Sequence, residues 1–159
     1  MHIAEVVTIA KSLPLLRLNT YKSLILSYSA DYRRIFKKKN MDMALLYLLS
    51  TLLIDNQLST ILRVSVYFEQ LSVSIRNQGL ISRKLDSFGP YFINALVILK
   101  QSNIIEISDG RLQLTNSSFP EGCLKSKRLE RIIKNSEHLL NICSGLSTKE
   151  LYNNLNIQL

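Results

Sequence analysis

The clearest pattern in the chain is an apolar stripe that runs into a paired polar-apolar alternation. Phe88, Phe92, Ala95, Leu96 and Leu99 recur at helical spacing, so the stretch reads as a helix over Pro90–Gln101. Gly89-Pro90 is its expected start, because proline is tolerated at the first helical position. Two short β-prone runs follow, Ile104–Ile107 and Leu112–Thr115, with Asp109-Gly110 between them. Asp-Gly marks a two-residue hairpin because both central positions take positive φ. A helix that feeds such a hairpin is the second half of a winged helix-turn-helix.

Upstream, Leu24, Tyr28, Tyr32 and Ile35 mark one face of a helix over about 20–36, with Asn19 or Thr20 as its N-cap. Met43–Ile54 is apolar on nearly every side, with Asp42 as cap and Asp55 after it, as expected of a central helix. Leu58–Arg63 reads as a short connector or a helical turn. Val64, Phe68, Leu71 and Ile75 step helically toward Gly79, a C-cap signal. Ile81–Phe88 reads as a short link or one helical turn. Turn chemistry fills 116–122, and a helix spans about 124–144 up to Gly145. Ser147 and Glu150 have capping-box spacing ahead of a brief last helix, Leu151–Leu155. The expected fold is mainly α: a winged helix-turn-helix core with a two-stranded β-wing and flanking helices. The chain divides into a basic helical part (1–40), a core (41–115) and C-terminal helices (124–159) of one domain.

Composition narrows the function. The 159 residues can hide roughly 70% of their unfolded surface. Hydrophobic residues are 47% and charged residues 20%, which fits a globular protein rather than a disordered one. A mean hydropathy of +0.10 is high for a small soluble protein and points to a partner covering apolar surface. Net charge is +8, of which residues 1–40 contribute +6. The charge is therefore local and suits phosphate backbones, an acidic protein or an anionic surface. Met43–Ile54 is too short to span ~30 Å of hydrocarbon, so no membrane role is expected. Two isolated cysteines, Cys123 and Cys143, without a secretory leader pattern lead to the expectation of a cytoplasmic protein.

Catalytic signals are weak. The histidines are His2 and His138, and neither has a nucleophile paired with it in the local pattern. The cysteines lack metal-site spacing, the acids are scattered, and there is no glycine-rich phosphate loop. No enzyme activity, cofactor or metal is expected. Binding residues are better defined. Arg33, Arg34, Lys37, Lys38 and Lys39 crowd the end of one helix, and Lys125, Lys127, Arg128, Arg131 and Lys134 one side of another. These clusters read either as solvated faces or as a patch for nucleic acid or an acidic partner.

A DNA-recognition helix carries Arg, Lys, Asn or Gln toward base edges. Here Asn94 stands among Tyr91, Ile93, Val97 and Ile98, which favours packing against protein. These five residues, with Leu151, Tyr152 and Leu155 near the C-terminus, are the candidate partner interface.

The order of elements resembles the middle component of bacterial ABC-three-component systems, and within them the small accessory subunit of Lamassu-type defence. Three passages carry the likeness. They are Leu18-Asn19-Thr20-Tyr21 with the apolar run Ala44–Ile54, then Ala95–Leu99 with Ile104–Thr115, then Leu139-Leu140 with Glu150–Ile157. The family tail often ends in a leucine-glycine-aliphatic-arginine-proline run; here Asn156 replaces the glycine and Gln158-Leu159 the final pair. The resemblance implies a non-enzymatic adaptor linking an SMC-like ABC ATPase to an effector, often a nuclease, in anti-phage or anti-plasmid defence. Non-specific DNA contact through the basic clusters is compatible with it. The rival expectation is a stand-alone winged-helix transcription regulator.

Overall fold

The computed structural model describes residues 41–101, 103, 105–115 and 127–158. The helix expected over 20–36, its basic cluster, Lys125 and Cys123 lie outside the described residues.

The centre is α1 (Met43–Ile54), whose leucines at 45, 46, 48, 49, 52 and 53 are all buried. Asp42 caps it, its Oδ1 accepting from the Ala44 N–H at 3.0 Å. Ser50 and Thr51 are buried too, but each hydroxyl donates four residues back, to the carbonyls of Leu46 (2.6 Å) and Tyr47 (2.9 Å). Buried hydroxyls need such partners, so a helix enclosed on all sides can still hold them.

Asp55 leaves the helical conformation, and the chain turns by 90° into α2 (Asn56–Val64). The connector or helical turn expected over Leu58–Arg63 is a full helix of nine residues. Its signal is the carboxylate before it: Asp55 Oδ1 accepts from the N–H groups of Gln57 and Leu58, both at 3.0 Å. Helix α3 (Phe68–Gln78) begins later than its stripe suggested, because Val64 closes α2 and Ser65 is extended. Gly79 ends α3 at φ +63, the left-handed position expected of it.

Pro90 does not start a helix. Helix α4 runs unbroken over Ile81–Gln101 with Pro90 inside it. Proline in a helix interior costs about 3 kcal/mol. The compensating term is one continuous stripe, Ile81, Leu85, Phe88, Phe92, Ala95, Leu96 and Leu99, all buried on α1 and its neighbours. Tyr47 braces the irregular turn. Its ring lies 6.2 Å from that of Phe88 and 4.9 Å from that of Phe92, and its hydroxyl donates to the Leu85 carbonyl. Gly89 makes room for it: a Cβ there would stand 3.3 Å from the Tyr47 hydroxyl.

Strands β1 (Met41–Asp42), β2 (Ile105–Ser108) and β3 (Arg111–Leu114) form an antiparallel sheet in the order β1-β3-β2. The hairpin turn is the expected one, with Asp109 at φ +49 and Gly110 at φ +71. The third strand corrects the expected two. Met41 pairs with Leu112 and Asp42 with Arg111, and the Met43 N–H donates to the Gly110 carbonyl at 2.9 Å. Two residues carry no strand periodicity, so β1 has no signature in the sequence.

Helix α5 (Lys127–Ile142) docks on α1 and α2 through Ile132, Ser136 and Leu139. Helix α6 (Thr148–Asn154) starts three residues before its expected position. The expected capping box is present: Ser147 Oγ accepts from the Glu150 N–H at 3.2 Å, and Glu150 Oε2 accepts from the Ser147 N–H at 2.7 Å. It holds the Glu150 carboxyl below its ordinary range. A Schellman motif closes α6. The Ile157 N–H reaches the Tyr152 carbonyl, the Asn156 N–H reaches that of Asn153, and Asn156 takes φ +57.

Candidate functional site

Among the described residues, the outward side of α4 carries four of the exposed large hydrophobic side chains. Ile93 and Val97, one turn apart, form one flank, 55% and 46% exposed. Tyr91 and Ile98 form the other at 50% and 40%, with exposed Asn94 between the flanks. The same helix therefore buries one stripe and presents hydrocarbon over much of the rest. Beside Ile93 an apolar groove of about 560 Å³ runs between the start of α1, α4 and the hairpin turn, lined by Met43, Ala44, Phe92 and Gly110 among others. Large contiguous apolar surface of this kind marks contact sites for other macromolecules.

Leu151, Tyr152 and Leu155 do not join this surface. They are 1%, 5% and 1% exposed and belong to the chain's own core. Their helical spacing was legible, but spacing alone does not say whether a stripe faces inward or a partner. Tyr152 also donates its hydroxyl to the Ala44 carbonyl at 2.8 Å, tying α6 to the first turn of α1. Burial, then the nearby Tyr47 and Asp42, push this phenol up to about 12.

A second exposed apolar group was not anticipated. Val64, Val66 and Tyr67 are 70%, 60% and 72% exposed around the turn from α2 to α3. The sequence hid them because Val64 and Phe68 together mimic a helical step.

On α5, Lys127, Arg131 and Lys134 are exposed and lie on one side, spaced by four and three residues. They form the described part of the basic clusters. Polar contacts also fasten α5 to the rest of the fold. Asn135 is buried and donates to Ser59 Oγ at 3.1 Å. His138 Nε2 lies 2.8 Å from the Ser65 carbonyl. A carbonyl only accepts, so Nε2 carries the proton, and the ring serves as a fastener between α5 and the α2–α3 turn. Burial pushes the Cys143 thiol up to about 12, so it is not a nucleophile in the folded chain. Among the described residues no three of His, Cys, Asp and Glu gather as a metal site. Nor, among them, is any single helix long and apolar enough to cross a membrane.

A helical scaffold with an exposed apolar helix and a basic ridge is equipped to bind other chains. The family model of ABC-three component (ABC-3C) system Middle Component 3 matches residues 20–159. The chain belongs to this family. It is thus a middle component of a system of several subunits, and protein partners follow from that membership. No curated protein and no solved structure matches it.

Proposed function

We propose that this chain is a non-enzymatic adaptor that joins an SMC-like ABC ATPase to an effector, a nuclease, in a cytoplasmic Lamassu-type defence complex. The observation that carries the reading is the outer face of α4, where Tyr91, Ile93, Val97 and Ile98 are each at least 40% exposed. Hydrocarbon held in that position is suited to bury against a protein, not to read base edges. The sheet order β1-β3-β2 beside a helix and hairpin supports a winged-helix core used as a protein-binding scaffold. In this reading Lys127, Arg131 and Lys134, with Arg128, Lys125 and the cluster Arg33, Arg34, Lys37, Lys38 and Lys39, serve as the patch for DNA or an acidic partner surface.

The test is reconstitution with an SMC-like ABC ATPase and a nuclease taken from the reading frames that neighbour this one. Val97→Glu with Ile98→Glu leaves the core stripe intact and should abolish co-purification of at least one subunit. Assembly unchanged by the pair would overturn the reading. A specific duplex bound by the isolated chain would instead favour a stand-alone transcription regulator.

A further inference from the structure

A cleft of about 890 Å³ opens where α1, the first half of α4 and the end of α6 meet. Its volume is that of a ligand site. Among the described residues Asp86 is the one charged residue in its lining, which also includes Tyr47, Tyr152, Asn153, Asn156 and Gln158. Asp86 makes no ion pair among the described residues; the ion pair found there joins Lys84 to Asp55.

The phenols do not serve Asp86. Tyr47 spends its proton on the Leu85 carbonyl, and Tyr152 on that of Ala44. Burial first, and Asp86 second, push the Tyr47 phenol above its ordinary value, so the carboxylate stands at the Tyr47 end of the cleft. Asn153 and Asn156 come from the Schellman turn, and with Gln158 each brings to the lining a side-chain amide, which has an acceptor oxygen as well as an NH2 donor.

The set carries one negative charge among amides that can turn an acceptor oxygen toward a donor. An anion is repelled by it, and a neutral group leaves the carboxylate unanswered. A guanidinium has five donors in a planar fork and no acceptor. We propose that this cleft receives an arginine side chain of a partner polypeptide, with its guanidinium on the Asp86 carboxylate and the amide oxygens of the α6 turn around it. The proposal stands on the cleft and does not depend on which subunits the adaptor reading names.

The test uses the full-length chain, isotopically labelled and titrated with acetyl-Gly-Arg-Gly-amide. The side-chain amide signals of Asn153, Asn156 and Gln158 should shift and saturate. The citrulline tripeptide, equal in shape and uncharged, should not shift them. Asp86→Asn, an exposed and nearly isosteric change, should weaken the arginine peptide about tenfold, as loss of a charge-assisted hydrogen bond does. Equal shifts from both peptides, unaltered affinity in the variant, or no saturable shift would each overturn the proposal. Because the probe is a tripeptide, a failed subunit assembly does not affect the outcome.

Discussion

The Lys84 ammonium lies 2.7 Å from Oδ2 of Asp55, while Oδ1 of the same carboxylate caps α2 through Gln57 and Leu58. One side chain thus fixes the corner between α1 and α2 and clips it to α4. The two roles separate by substitution. Asp55→Ala removes both and should lower stability by about 1–2 kcal/mol, the usual cost of losing an N-cap. Lys84→Met keeps the alkyl stem and removes only the ion pair. Both side chains are partly exposed, so that change should cost no more than about 1 kcal/mol. Urea denaturation of the two variants checks the ranking.

Gly89 and Tyr47 form a second separable pair. Alanine at position 89 would normally favour a helix by about 1 kcal/mol over glycine. Here the added Cβ meets a hydroxyl that is hydrogen-bonded to Leu85 on a ring packed against Phe88 and Phe92. Gly89→Ala should therefore destabilise the wild-type chain. In a Tyr47→Phe background, with the hydroxyl gone, the same substitution should turn stabilising. Thermal melts of the four proteins measure the reversal.

Alkaline pH should weaken the fold through two buried acids. The Cys143 thiol rises from 9.0 and the Tyr152 phenol from 10.0, each to about 12. In the window between those values the unfolded chain sheds both protons while the folded chain keeps them. The stability they contribute is then complete below pH 9 and is lost as pH rises toward 12. Cys143→Ala and Tyr152→Phe should each flatten part of that decline in denaturation curves recorded from pH 8 to 11.

Asn156 occupies a left-handed conformation at the end of α6. Asparagine tolerates it, glycine adopts it freely, and alanine pays about 1–2 kcal/mol. Asn156→Gly should be neutral or slightly stabilising and Asn156→Ala destabilising by that amount, read from denaturation midpoints.

Features governed by a few adjacent residues were legible in the sequence. Asp42, Gly79, Asp109-Gly110 and the Ser147/Glu150 box each act on backbone within three residues, and each behaves as its chemistry requires. The exposure of Tyr91, Ile93, Val97 and Ile98 was legible as well, because they fall outside the stripe of Phe88, Phe92 and Leu99. Pro90 misled, since its penalty is local and the burial that outweighs it comes from α1. The inward face of Leu151, Tyr152 and Leu155 depends on where α6 docks, and the Asp86 cleft joins residues from three helices. Neither leaves a mark at short range.

Strand β1 is two residues long and passes directly into α1. Its rungs to Arg111 and Leu112, and the Met43–Gly110 hydrogen bond, tie the entry of the leucine helix to the hairpin turn. The hairpin therefore sets the point and direction from which α1 enters the core, although the two are separated by more than fifty residues along the chain.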